Sequence, residues 1–226
     1  MASVRTFTLP HYHLYPVHVA LFDHVTNASS LRRQLLDANP DFDYAFLDAS
    51  MIISPQHLLS ATFIALHNFL TGRAKTRTPH SELVFRLSPN NNIAHAYATF
   101  GISDHSTAII AVKLPLSPSP SAPGRPYAKD DSVTNQSVSA HLASAVQGTS
   151  LDIGHDATEL GLRCQLDKVR KVYKLGSADG GAATTTTKTP KTNAFTTQGC
   201  LEAINHDSDR AEIETVVLGM IALKGS

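Results

Sequence analysis

This chain contains the residue types that do covalent or metal chemistry, but not at the spacings such chemistry needs. Twelve histidines invite a metal site, yet His11 and His13 form the only tight pair, and no HExxH run, Cys/His quartet or matching carboxylate accompanies them. There is no GxSxG nucleophile elbow, no GxGxxG turn and no Walker loop. The two cysteines, Cys164 and Cys200, show no CxxC spacing, so a disulfide framework is not expected and a reducing compartment fits. No catalytic residue, metal or cofactor is therefore expected. The asparagines of two Asn-x-Ser sequons, Asn27 and Asn135, carry no meaning in an intracellular chain.

Other residues have the chemistry of binding. Arg73, Lys75 and Arg77 lie between a helix end and an expected strand start, and from Arg73 to Arg86 four cations face Glu82 alone. Phosphate contacts use flexible Lys and forked Arg donors with hydroxyls beside them, and Thr76, Thr78 and Ser81 supply the hydroxyls. On charge alone, a solvated loop is the commoner explanation of such a cluster. Asn90, Asn91 and Asn92 sit at a helix N-terminus, where free N–H groups suit a phosphate or terminal nucleotide, or where the side chains simply cap. Ile93, Ala96, Tyr97 and Phe100 form an i, i+3, i+4, i+7 stripe that either docks a partner or packs inward. A second basic cluster, Arg163 to Lys174, carries five cations against Asp167 and is either an RNA footprint or a solvated helix face.

The elements that must position these residues follow from pattern. Val17 to Phe22, Tyr44 to Leu47, Glu82 to Leu87 and Thr107 to Leu114 read as strands, the last apolar enough to be central. In the third, Leu83, Phe85 and Leu87 would share one face and Arg86 would point away. Helices are expected over Leu31–Ala38 with Asn27 capping, and from Ser54-Pro55 to a stop at Gly72. Further helices are expected over Ile93–Phe100, Val138–Val146, Ala157–Arg163, Asp167–Lys174 and Ser208–Lys224. The segment from Pro115 to Pro126 holds five prolines, and Ser177 to Gly199 holds eight threonines. Both read as disordered insertions, bounded at about 115–134 and 177–207.

The expected fold is α+β: a single domain over 1–226 with a mixed sheet of about four strands covered by helices. The length of 226 residues fits one domain. Lys+Arg and Asp+Glu balance at 19 each, so attraction to nucleic acid must come from local patches. No apolar run approaches the ~20 residues that cross a bilayer, and the N-terminus lacks an apolar signal core, so a soluble intracellular protein with no membrane partner is expected.

The runs VALFDHVTNASSLRRQL, YAFLDASMIISPQHLLSATFIAL, HSELVFRLSPNNNIAHAYATFGI and STAIIAVKL, and more weakly LRCQLDKVRKVYKL and the closing IALKG, carry a family resemblance. The chain resembles the TPRKB family, the kinase-binding, CGI-type subunits of the EKC/KEOPS complex. The two low-complexity insertions depart from the family pattern. The resemblance implies a non-catalytic subunit of the complex that makes threonylcarbamoyl-adenosine next to the tRNA anticodon. Its implied partners are the small atypical kinase/ATPase of the complex, tRNA including its 3′ CCA end and, indirectly, the threonylcarbamoyl transferase subunit. Carried onto this chain, Arg73, Lys75, Arg77 and Thr78 would contact tRNA with Asn90, Asn91 and Asn92 nearby. Ile93, Ala96, Tyr97 and Phe100, with the last helix, would form the kinase face. Nucleus and cytoplasm, with telomere and transcription associations, are the implied locations. A pure protein–protein adaptor and a small enzyme of unknown chemistry are the rival readings.

Overall fold

The computed structural model describes residues 1–118, 127–175 and 198–224. In chain order the strands are β1 (Arg5–Phe7), β2 (Val17–Asp23), β3 (Ala45–Asp48), β4 (Ile109–Lys113), β5 (Leu116–Pro118), β6 (Tyr127–Lys129) and β7 (Thr149–Leu151). The helices are α1 (Ala28–Leu36), α2 (Pro55–Leu70), α3 (Pro79–Leu87), α4 (Ile93–Phe100), α5 (Asn135–Ala145), α6 (Leu166–Tyr173) and α7 (Gln198–Lys224).

Strands β2 and β4 are the centre of the main sheet because both are apolar on alternate and intervening positions alike. β2 pairs β4 through residues 18–22, and β3 pairs the far side of β4. β1 pairs Val17 to Val19 and β7 pairs Leu21 to Asp23, so these two short strands share the other edge of β2. Each of these pairings is antiparallel. Side chains alternate across the sheet. Val17, Val19, Leu21, Leu47, Ile110 and Val112 enter a large core with α2, α3, α4, α6 and α7. Ala20, Phe22, Phe46, Ile109 and Ala111 enter a smaller one with Leu31 of α1 and Val138 and Leu142 of α5. The α+β class and a helix-covered main sheet are as the sequence predicts; that sheet has five strands, all paired antiparallel, and β5 and β6 form a separate two-stranded sheet.

Several expectations are corrected. Glu82–Leu87 is not a strand but most of α3. Thr78-Pro79 opens it just as Ser54-Pro55 opens α2: Thr78 Oγ1 accepts the Ser81 N–H at 3.0 Å, and Ser54 Oγ accepts the His57 N–H at 3.0 Å. Every residue from Glu82 to Leu87 is buried, so no solvent face marks the helical period, and Leu83, Phe85 and Leu87 imitate a strand. Arg86 points inward rather than away. Asn27 does not cap α1; its side chain bridges to the Ala145 carbonyl and the Gln147 N–H. The expected helix over 157–163 is a single 3-10 turn, Thr158–Gly161, pressed so closely on Ile53 that a Cβ on Gly161 would lie 2.2 Å from its carbonyl oxygen. The segment read as an insertion at 115–134 is in part a hairpin of β5 and β6 with Leu116 buried, while 119–126 lies outside the described residues. Of the second, 176–197 lies outside them, and α7 begins at Gln198, ten residues before the expected Ser208.

Candidate functional site

Helix α2 ends at Leu70, and Gly72, at φ +71°, turns the chain into the basic loop. What shapes the loop is Glu82, on the first turns of α3 and 0% exposed. Its Oε2 accepts the Lys75 N–H at 2.9 Å, the Thr76 N–H at 3.0 Å and the Thr76 hydroxyl at 3.0 Å. Its Oε1 accepts Arg86 Nε–H at 2.8 Å. The lone acid of the segment thus neutralises Arg86, itself 4% exposed, and holds the loop by its backbone. Arg73, Lys75 and Arg77 are left exposed, and none joins an ion pair among the described residues.

Arg77 and Thr78 form one lip of a cleft of about 1120 Å³ between α1, α4, the start of α3 and the β5–β6 hairpin. Tyr44, Tyr97 and Tyr127 line it. Tyr97 donates its hydroxyl to Ser81 Oγ at 2.8 Å, and Ser81 Oγ lies 2.8 Å from Thr78 Oγ1, so α4 braces the loop's last residue. His80 is buried in the wall. Its Nε2 accepts the Leu114 N–H at 2.9 Å, so the proton sits on Nδ1 and is donated to Asp43 Oδ1 at 2.9 Å. Burial holds its pKa below the usual value against the pull of Asp43, in keeping with that neutral tautomer. Lys113 donates to the Asp43 carbonyl at 2.6 Å over the Tyr44 ring, and burial lowers its pKa while Asp43 and Asp130 resist. Burial, helped by Asp43, pushes Tyr44 up to about 12. Within the cleft Asp43, Asp104 and Asp130 face Arg32 and Lys113, with Arg77 on the lip. The interior is therefore dipolar and aromatic, suited to a base or ribose, while surplus positive charge lies on the loop at its rim.

The other expected site residues divide. The Asn90–Asn92 turn stands at the far end of α3, about 13 Å of helix from the basic loop. Asn92 Oδ1 accepts the His95 N–H at 3.0 Å, so the turn caps α4. The α4 stripe does not present one docking face. Ala96 and Phe100 are 0% exposed because they close the large core, which corrects their assignment to a partner surface. Tyr97 faces the cleft and Ile93 is 40% exposed. In the second basic cluster, Arg163 pairs Asp23 and Arg170 pairs Asp209, leaving Lys168 and Lys171 exposed on α6 and Lys174 exposed at its C-cap.

Sequence reasoning missed an apolar groove of about 860 Å³ along α2. Leu59, Phe63 and Ile64 line it, walled by Phe7 to Pro10 and by Ala222 near the end of α7. Tyr12 packs edge-on to Phe63 at 5.5 Å and its hydroxyl meets His67 Nδ1 at 2.6 Å, fixing the wall. The signal was present: α2 is apolar all round, with Leu58, Ala61, Ala65 and Leu66 filling the core and a second set left over. Among the described residues, no cluster of three or more His, Cys, Asp or Glu is placed to hold a metal ion.

A family model described as kinase binding protein CGI-121 matches residues 22–225. A protein of Phaeosphaeria nodorum named EKC/KEOPS complex subunit CGI121 is 53% identical, the match covering 99% of this chain and 100% of the relative. Proteins of Aspergillus terreus and Aspergillus fumigatus carrying the same description are 40% and 35% identical, over 100% and 99% of this chain and 98% and 97% of theirs.

Proposed function

We propose, for a chain that belongs to the CGI-121 family of kinase binding proteins, that it serves as a non-catalytic EKC/KEOPS subunit with two interfaces. One takes tRNA at its 3′ CCA end. The other takes the small atypical kinase of the complex, and through it supports threonylcarbamoyl-adenosine formation by the transferase subunit. By the same reading the protein works in nucleus and cytoplasm and is associated with telomeric chromatin.

One observation carries the RNA reading: a loop of three exposed cations, fixed from beneath by a buried carboxylate, forms the rim of a tyrosine-lined cleft. Cations on a fixed frame meet successive phosphates, and unstacked bases find aromatic faces within reach. The kinase reading rests on the family description and on the α2 groove, which offers apolar area where a neighbouring polypeptide can bury it.

The test is a binding titration with intact tRNA and with tRNA trimmed of CCA, at two salt concentrations, for the wild-type chain and Lys75→Glu/Arg77→Glu. Intact tRNA should bind more tightly than trimmed tRNA. The double variant should bind more weakly, with a log–log salt slope shallower by roughly 1.5, and retain the kinase. Normal tRNA binding by the double variant would remove the loop from the interface. No tRNA binding by the wild type would leave a pure adaptor.

A further inference from the structure

The end of α7 reaches the basic loop through an unbroken line of hydrogen bonds, with the Arg86–Glu82 pair buried at its centre. The Lys224 ammonium donates to the carbonyls of Phe85, Ser88 and Asn90 at 2.5, 2.6 and 2.7 Å, and lies 3.7 Å from the Phe85 ring centroid. Three acceptors use all three of its donors, at the C-terminus of α3, where orphan carbonyls and the negative end of the helix dipole favour a cation. The Lys224 carbonyl in turn accepts Arg86 Nη1–H at 2.8 Å. Arg86 binds Glu82, and Glu82 holds the backbone of Lys75 and Thr76. One residue thus grips both the end of α3 and the arginine that orients the loop's anchor. Two positions before it, Ala222 lines the α2 groove.

We infer that this line couples the two interfaces, so that a polypeptide seated in the α2–α7 groove stiffens the basic loop and tightens its hold on polyanionic RNA, with Lys224 as the positioning residue. The inference rests on the reading that groove and loop are the two binding surfaces. A partner bearing on α7 holds its last turn against α3. Arg86 then keeps its carbonyl partner, Glu82 stays in register, and less loop freedom remains to be lost when RNA arrives. Coupling through ordering makes the second ligand bind more tightly, and linkage requires the effect to be mutual. Lys75 and Thr76 contribute to the coupling through their amides, whatever their side chains touch.

The experiment uses the full chain, the purified kinase and tRNA. Amide hydrogen exchange is followed at Lys75 and Thr76, and tRNA affinity is measured with and without kinase, for wild type and Lys224→Met. In the wild type the kinase should slow exchange at both amides and tighten tRNA binding severalfold. In Lys224→Met both amides should exchange faster, kinase should no longer slow them, and the part of the tightening that passes through the loop should vanish while kinase affinity holds. Should Lys224→Met not fold, Lys224→Gln, which loses the charge and one donor, is read the same way. Amides indifferent to kinase, or a variant coupled like the wild type, would overturn the inference while leaving both interfaces standing. Failure of the wild type to bind kinase or tRNA at all would instead strike the underlying reading of the surfaces.

Discussion

Replacing Glu82 with glutamine keeps shape and volume and removes one charge. It cannot satisfy both sides of the site. If the amide oxygen faces Lys75 and Thr76, the NH2 group meets Arg86 Nε–H; if it faces Arg86, the NH2 group meets three loop donors. Either way donor meets donor, and a guanidinium only 4% exposed loses its counter-ion. Breaking a buried pair from one side costs about 3–5 kcal/mol, a large share of the ~5–15 kcal/mol that holds a domain together. Urea denaturation at pH 7.5 should show a loss of that size. Release of Lys75 and Thr76 adds about 1–2 kcal/mol of ordering cost per residue when RNA binds, so tRNA affinity should fall by about tenfold or more below the denaturation range. The pair Glu82→Leu/Arg86→Met separates the two effects. Removing both charges should recover much of the stability but not the RNA affinity, because the loop amides still lack an acceptor. A Glu82→Gln loss under about 1 kcal/mol would refute the account of a carboxylate that serves loop and arginine together.

Acid sensitivity should begin with histidine. Buried His57 accepts the Ile53 N–H on Nδ1 and meets the Tyr173 hydroxyl through Nε2, and burial lowers its pKa to about 3. The unfolded chain, at about 6.5, takes up the proton first, so stability is full above that pH and falls below it, by about 2 kcal/mol at pH 5. His80 acts in the same direction. Denaturation midpoints unchanged between pH 8 and pH 5 would contradict this. For the groove, Phe63→Glu should abolish capture by the kinase while the chain still unfolds in one cooperative transition, at a lower melting temperature because Tyr12 loses its packing, and the tRNA titration stays near wild type; retained capture would move the partner elsewhere.

The central strands were legible because β2, β3 and β4 are apolar runs bounded by turn residues, and the Ser-Pro start and glycine stop of α2 are local signals. The three-residue strands β1 and β7 are too short to show alternation. Helix α3 was misread because burial on every side erased its period, although the Thr78-Pro79 start was available. The exposed cations of the loop could be read from spacing, but the role of Glu82 could not, since a carboxylate six or seven residues along looks the same whether it screens a loop in water or anchors it from within. The contact of Lys224 with α3, 139 positions from Phe85, left no trace in any local pattern.

The sheet itself presents little open margin. On one side β1 and β7 divide the edge of β2 between them, and on the other the Ile102 N–H bonds the Phe46 carbonyl along β3. Strand-to-strand stacking of copies is thereby discouraged, and association is steered to side-chain surfaces that discriminate between neighbours. Stripping away the first ten residues would bare the backbone of Val17 to Val19 and hand the molecule a sticky seam for ribbon-like self-assembly.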